Sequence, residues 1–464
     1  MRALSIKIAT SAVIAVLVVA SLPFVGFTET SSDAKSGLIL DFGHWNVEWV
    51  ESDFPEGTDG DAALDIVCGS KGYTVNRVNG TVISVNGSEN ELNISWGFYV
   101  MEGGEWKSSD PSQTDTSDYQ IVAWARSTGP SALVPAADHT GYTYYSYANG
   151  GKDLSTGKDL RIVTLAPSVT ETLVAVGALG YIVGTDLYSD YPKAVRDLKE
   201  DGTIAVTGGY TDPNYEWIIK LNPDIVFCDG SVGQQVTMAD KLRKSSVDCV
   251  VLDDAVDVAS MYNNIWIAAC SIGMQEKATE VIGGLSGTID DVSAVAGTSN
   301  KRVFVSLSAD PSPWTAGSGT FMSDLIGSAG GINVFDTQSS SWFMVSKEQI
   351  YRMQPQVIII IQSESEITSD REYLELLDGL DPMWKNTPAF KSGEVFVFSG
   401  DSGDIMSRPG PRLAQAAELI AKLLNPNAFT DQDPLDSVPK YFGDDYWGYL
   451  NYQKIDLWGG EGYE

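Results

Sequence analysis

Glu216-Trp-Ile-Ile-Lys-Leu-Asn-Pro-Asp-Ile-Val-Phe227 and Glu348-Gln-Ile-Tyr-Arg-Met-Gln-Pro-Gln-Val-Ile-Ile359 are one pattern written twice in this chain. In each copy a Glu opens a short amphipathic helix, a Pro seven residues later bars its continuation, and an apolar, β-branched run follows that reads as a buried strand. The same helix–strand unit at two distant places predicts two α/β lobes, each presenting one Glu at the same place on its surface. That arrangement suits a clamp for a small molecule that also docks on a two-fold partner.

Working outward from the repeat, the chain alternates strand and helix from Arg161-Ile-Val-Thr-Leu-Ala166 onward. Ser168-Val-Thr-Glu171 reads as a capping box that opens the first helix. Strands follow near residues 182–184, 225–228 and 250–252, with helices between them, which predicts a parallel sheet covered on both faces. Residues 255–298 contain no strand pattern and read as two linking helices, the second from about 275 to 295. At ~1.5 Å per residue such a helix spans ~30 Å, long enough to join two lobes as a strut. Strand–helix alternation resumes at Arg302-Val-Phe-Val-Ser-Leu307 and runs to a helix over 411–424. The expected fold class is therefore α/β: two doubly wound lobes, 161–254 and 301–425, joined by a long helix.

Other segments flank this bilobal unit of 161–425. Residues 1–30 carry Arg2 and Lys7 before an apolar stretch, which reads as an export signal or an N-terminal membrane anchor, with the rest of the chain outside. Residues 37–150 are rich in short strand-like runs and aromatics and contain one capped helix near Asp59, a small β-rich domain. Residues 151–160 form a polar, glycine-rich linker. The tail, 426–464, is acidic, yet it holds Tyr441, Phe442, Tyr446, Trp447, Tyr449, Tyr452 and Trp458, too many aromatics for a free tail.

Composition narrows the function. The 464 residues carry 30 Lys and Arg against 62 Asp and Glu, a formal charge of −32 that repels phosphate backbones, so no nucleic-acid partner is expected. Only two His are present, His44 and His139, both in the β-rich domain. The lobes therefore cannot build a Ser-His-Asp or Cys-His site, and no His-ligated metal is expected there. No phosphate loop, His-Glu-x-x-His or Gly-x-Ser-x-Gly motif occurs, and no enzymatic reaction is expected. The four cysteines, 68, 228, 249 and 270, follow no metal spacing and read as buried thiols. Asn79-Gly-Thr, Asn86-Gly-Ser and Asn93-Ile-Ser are glycosylation-type triplets that fit an exported chain.

Aromatics cluster where strands hand over to loops, the ligand-binding edge of a parallel sheet. Tyr188, Tyr210, Trp314 and Trp342 all fall in such predicted loops and outline a cleft for a large, flat, partly apolar ligand. Here the chain resembles the helical-hinge substrate-binding proteins of ABC importers for cobalamin and iron–siderophore chelates. The resemblance rests on Arg161-Ile-Val-Thr-Leu-Ala-Pro-Ser-Val-Thr-Glu171, Tyr188-Ser-Asp-Tyr-Pro192, Gly208-Gly-Tyr-Thr-Asp-Pro-Asn-Tyr-Glu216, Leu221-Asn-Pro-Asp224, Trp342 with Val345-Ser-Lys-Glu348, and Arg408-Pro-Gly-Pro-Arg412. Part of the β-rich domain is similar to the small β-domain of transcobalamin-type proteins.

The resemblance implies roles. Glu216 and Glu348 match the carboxylates that meet Arg pockets on the permease dimer of an importer with separate ATPase subunits. Tyr188, Tyr210, Trp314, Trp342, Asp401 and Arg408 match ligand-binding positions in the cleft, while Arg412 reads as structural. Asp229 departs from the cobalamin-binding pattern, which has an aromatic there. Anionic iron chelates call for several cleft cations. Arg408 alone matches such a position, which favours a nearly neutral cobalt corrinoid over a ferric chelate or haem. No cofactor of the protein's own is expected beyond that ligand. The competing classes are a metallochelatase-like enzyme, which needs a metal cluster in the cleft, and a surface adhesion protein, suggested by the β-rich domain.

Overall fold

The computed structural model describes residues 37–42, 47–51, 54–90, 94–102, 105–119, 121–127, 160–245, 247–252, 254–338, 340–362, 365–429 and 439–458. The expected signal or anchor (1–30), both His, Asn93, most of the linker (151–159) and tail residues 430–438 and 459–464 lie outside them. Among the described residues no helix is long and apolar enough to cross a membrane.

The first domain is built on a five-stranded sheet in the order β2-β1-β8-β6-β7: β1 (Gly37–Asp41), β2 (Val47–Glu51), β6 (Ser95–Glu102), β7 (Glu105–Ser108) and β8 (Ile121–Ser127). A three-stranded antiparallel sheet of β3 (Val75–Val78), β4 (Thr81–Val85) and β5 (Ser88–Glu89) accompanies it. Helix α1 (Gly60–Lys71) is capped by Asp59 and buries Ala63, Leu64, Val67 and Cys68 in a core shared with Leu38, Val82, Phe98 and Trp124. A Cβ on Gly60 would stand 2.8 Å from the Phe98 ring, so a larger residue there has to displace that ring. Trp124 donates its indole N–H to Gly60 O at 2.8 Å.

The first lobe is a parallel five-stranded sheet in the order β11-β10-β9-β12-β13. Its strands are β9 (Ile162–Thr164), β10 (Ile182–Thr185), β11 (Ala205–Val206), β12 (Ile225–Asp229) and β13 (Asp248–Leu252). Helices α2 (Pro167–Ala175), α3 (Lys193–Glu200), α4 (Tyr215–Lys220) and α5 (Gly233–Arg243) connect them. All five residues of β12 are buried, as an apolar run covered on both faces must be. Cys228 and Cys249 are buried in this lobe.

Two linking helices follow, α6 (Val258–Cys270) and α7 (Gln275–Ala296). The second lobe repeats the parallel sheet in the order β16-β14-β18-β19-β20. Its strands are β14 (Arg302–Ser306), β16 (Ile332–Asn333), β18 (Val357–Gln362), β19 (Val395–Ser399) and β20 (Tyr441–Phe442), and a separate ribbon pairs β15 (Trp314–Ala316) with β17 (Trp342–Met344). Its helices are α8 (Phe321–Ser328), α9 (Lys347–Met353), α10 (Asp370–Gly379), α11 (Pro388–Ser392), α12 (Asp401–Ser407) and α13 (Leu413–Leu424). One apolar cluster runs through both lobes, joining Leu173 and Phe227 of the first to Val281 of α7 and to Leu325, Ile359 and Leu419 of the second.

The aromatic tail is part of the fold. It supplies β20 to the second sheet, where Phe442 stacks on Phe398 at 4.8 Å. Glu418 of α13 then accepts the backbone N–H groups of Asn451 (2.5 Å) and Tyr452 (3.1 Å). Farther on, the chain crosses α7: Ile455 lies where a Cβ on Gly284 would stand 2.6 Å away, and Lys454 pairs with Asp291. Trp458 ends the described tail edge-on to Tyr191 of the first lobe, 5.4 Å between ring centres. The segment thus touches both lobes and the long helix between them.

Two sequence expectations are corrected. Ser168 and Glu171 form no capping box: α2 begins with Pro167 at its first position, Ala166 stands at the cap, and no side chain caps it. A proline there needs no N–H partner, and the Glu171 carboxylate is instead taken by arginines of the other lobe. Trp314 and Trp342 are not loop residues, since cross-strand pairing makes a ribbon of their segments.

Candidate functional site

In each lobe the strand order reverses beside the first strand, between β9 and β12 and between β14 and β18, and a crevice forms outside the carboxyl ends of the strands at such points. At the first reversal Asp229 closes β12. Tyr210 donates its hydroxyl to Asp229 Oδ2 at 3.0 Å, and Ser231 donates its hydroxyl and N–H to Asp229 Oδ1 at 2.6 and 2.9 Å. Gln235 fixes the Tyr210 backbone by donating to its carbonyl at 2.9 Å. Burial, reinforced by the Asp229 charge, pushes the Tyr210 phenol well above its usual pKa. The nearby Asp254 carboxyl is also raised, by burial and by Asp229.

Tyr188 projects from the loop after β10 and is 55% exposed, beside Leu187 at 56%. The backbone beneath it is tightly held. Asp186 accepts the Tyr188 N–H at 2.8 Å and the Ser189 hydroxyl, and Thr164, Thr170, Thr185 and Ser189 share a buried hydroxyl network at 2.7–2.9 Å. From the last turn of α3, Lys199 donates to the carbonyls of Asp186 (3.1 Å), Leu187 (2.8 Å) and Ser189 (2.5 Å). Hydrogen bonds from a charged donor are worth about 1.5–3 kcal/mol each. Lys199→Met keeps the apolar stem and removes all three. It is expected to release residues 186–191 to rapid amide exchange, while wild-type protection in that loop would show that the ammonium does not hold it.

The second lobe contributes the β15–β17 ribbon. Its register sets Trp314 opposite Met344 and Ala316 opposite Trp342, so Trp314, Met344 and Trp342 share one face by the two-residue alternation of strands. Trp314 is 50% and Met344 59% exposed. The opposite face is the packed one: Thr315 is fully buried, and Phe343 meets Phe335 edge-on at 5.5 Å. Trp342 rests on Phe321, 5.8 Å between rings.

A buried ion network joins the lobes. Arg412 donates Nε and Nη2 to Glu171 at 2.8 and 2.7 Å, and its guanidinium lies over the Tyr191 ring at 3.7 Å. Arg408 donates Nη1 to Asp190 (2.8 Å) and Glu171 (3.3 Å), Nη2 to Tyr188 O (3.4 Å), and pairs with Asp404 at 2.7 Å. Two of the six sequence-predicted cleft residues, Tyr188 and Arg408, thus meet across the lobe boundary, through the Tyr188 carbonyl. Asp401 opens α12 close by, its backbone N–H held by Asp444 at 2.9 Å, and burial raises its carboxyl pKa.

Burial lifts the Asp404 carboxyl from 3.8 to about 7, outweighing Arg408 and Arg412, with smaller pushes in the same direction from Asp190 and Glu171. The folded protein therefore holds this proton more tightly than the unfolded chain. That contribution to stability is complete below about pH 4 and is lost as pH rises through about 7. Asp404→Asn is expected to flatten this part of the stability-versus-pH curve. An unchanged slope in urea titrations across pH 4–8 would assign the proton elsewhere.

Glu216 and Glu348 occupy the same place in their lobes. Each is exposed and second in its helix; Asn214 caps α4 by accepting Trp217 N–H at 3.1 Å, and Ser346 caps α9 by accepting Gln349 N–H at 3.3 Å. Among the described residues no group of three or more His, Cys, Asp or Glu could hold a metal ion. Sequence reasoning missed Lys199, Asp190, Asp404 and Met344. Only Met344 left a signal, two positions after Trp342 on an alternating strand.

The periplasmic binding protein family model matches residues 162–401. An uncharacterized ABC transporter substrate-binding lipoprotein of Bacillus subtilis is 26% identical over 276 residues, 58% of this chain and 82% of that protein. The vitamin B12-binding protein of Salmonella typhimurium is 30% identical over 216 residues, 46% of this chain and 76% of that protein. Among solved structures, a periplasmic haem-binding protein from Roseiflexus sp. RS-1 is 23% identical, over 58% of this chain and all of that one, with a TM-score of 0.49.

Proposed function

The chain belongs to the periplasmic binding protein family, and from that premise we propose that it captures a cobalamin-type corrinoid and delivers it to the permease of an ABC importer. The chain is the substrate-binding component and works outside the cytoplasm, as its periplasmic and lipoprotein relatives do. Residues 1–30 serve in this reading as its membrane tether, and the energy for uptake comes from the importer's ATPase subunits. The protein holds and releases its ligand without a chemical step.

The observation that carries the ligand assignment is the state of the two inter-lobe arginines. Arg412 is committed to Glu171, and Arg408 is shared by Glu171, Asp190 and Asp404. A propionate- or citrate-bearing chelate needs guanidinium forks that are not already taken. A corrinoid, whose periphery is amide-rich and nearly neutral, needs flat apolar walls and hydrogen-bond acceptors. Tyr188, Trp314, Trp342 and Met344 supply the walls, and Asp229, Asp254 and Asp401 supply acceptors. The Tyr210 hydroxyl is already given to Asp229. Vitamin B12-binding relatives support the same choice.

Tryptophan fluorescence tests it. Purified protein is titrated with cyanocobalamin, haem and ferric citrate, and saturable quenching is expected with cyanocobalamin alone. Saturable binding of haem or ferric citrate, with none of cyanocobalamin, overturns the corrinoid assignment while leaving the importer role intact.

A further inference from the structure

Beneath each Glu-bearing helix lies an arginine that the repeated phrase does not include. Arg161, at the head of the first lobe's first strand, donates Nε and Nη2 to the carbonyl of Leu221 at 2.9 and 2.7 Å. Arg302, at the head of the second lobe's first strand, donates the same two nitrogens to the carbonyl of Met353 at 3.2 and 2.6 Å. Leu221 and Met353 are equivalent positions, five residues after Glu216 and Glu348. The correspondence continues through the backbone. Arg161 N–H is accepted by Asp224 Oδ2 at 2.8 Å and Arg302 N–H by Gln356 Oε1 at 3.1 Å. The residue after each latched carbonyl, Asn222 or Gln354, turns the chain with φ of +48° or +47°.

From this we infer that Arg161 and Arg302 are positioning residues, which latch α4 and α9 to the sheets and so fix where Glu216 and Glu348 are presented to the permease. The inference rests on the docking role of those two carboxylates. The physical reason lies in helix length. Helices of six and seven residues are too short to be stable alone, and the last carbonyls of a helix have no partner within it. Each helix buries one side chain completely, Ile218 or Ile350, and is steadied at its N-terminal end by Tyr215 with Ser245 or by Lys347 with Asp381, so the C-terminal end still needs a contact against rotation about that anchor. A guanidinium giving two N–H groups to one terminal carbonyl stops that rotation and places positive charge at the helix's negative end. Because each Arg stands at the head of an interior strand, paired on both sides, the latch ties the helix to the sheet of its lobe.

The test compares full-length wild type with R161Q/R302Q, R161K/R302K and E216R/E348R. Amide hydrogen exchange is read over residues 215–222 and 347–354, and uptake of labelled cyanocobalamin is measured in cells producing each variant as the sole copy. The Gln pair is expected to exchange faster in both helices and to cut uptake about tenfold, equivalent to ~1.4 kcal/mol of docking energy, with cyanocobalamin affinity unchanged. The Lys pair, which restores a single donor, is expected to recover part of both. Unaltered exchange in the Gln pair overturns the latch whatever the cargo is. Wild-type uptake by the Gln pair, with E216R/E348R inactive, overturns the positioning role alone. Wild-type uptake by E216R/E348R removes the docking reading and this inference with it.

Discussion

Glu171→Ala is expected to destabilise the protein by about 3–5 kcal/mol, the cost of leaving a buried charge without its partner. Arg412 is 1% exposed and gives two of its N–H groups to Glu171, and its Nη1 meets no acceptor among the described residues. With the carboxylate gone, the guanidinium keeps the Tyr191 ring but no counter-charge at hydrogen-bond distance. The double variant Glu171→Ala/Arg412→Met is expected to be more stable than Glu171→Ala alone, because an apolar replacement of a buried pair removes both the attraction and its desolvation cost. Urea midpoints of the two variants against wild type measure this. A loss under about 1 kcal/mol for Glu171→Ala would mean that water or another carboxylate reaches Arg412. Since Glu171 belongs to the first lobe and Arg412 to the second, the same substitution is expected to loosen the lobes with respect to each other.

The second large effect is functional. Reversing both exposed carboxylates, E216R/E348R, is expected to abolish uptake while melting temperature and ligand affinity stay near wild type. Each Glu lies in the first turn of a helix, where its interaction with the helix dipole is worth ~0.3–1 kcal/mol, so little stability is at stake. Docked as proposed against cationic pockets, two reversed charges would cost several kcal/mol each. Uptake at the wild-type rate would assign the repeated Glu to helix stabilisation alone. Reversing one Glu at a time then tells whether the two lobes contribute equally.

Much of this molecule was legible in one dimension because its lobes are parallel sheets. Runs such as Val357-Ile-Ile-Ile-Ile-Gln362 are buried on both faces, so hydrophobicity alone marks them, and helices between them follow from periodicity and from prolines such as Pro223 and Pro355. The equivalence of Glu216 and Glu348 was legible for the same reason, since the repeat preserves cap, helix and strand together. The long helix predicted over 275–295 is α7, Gln275–Ala296. The ribbon of Trp314 and Trp342 was not legible, because strands of three residues, with 25 residues between them, leave no periodic trace.

Charge was the hardest to read. Glu171 fits a capping box perfectly well by its spacing from Ser168, and its actual partner is 241 positions away. Arg408 stood out as the cleft's lone cation, yet three carboxylates from Glu171, Asp190 and Asp404 converge on it. The sequence by itself determined the two lobes, their parallel sheets, the bridging helix and the paired carboxylates, because each of these is written in local periodicity and in short-range steric rules. Only the tertiary structure decided which charges cancel and how the tail binds both lobes to α7, because electrostatic pairing and packing depend on distances in space between residues far apart along the chain.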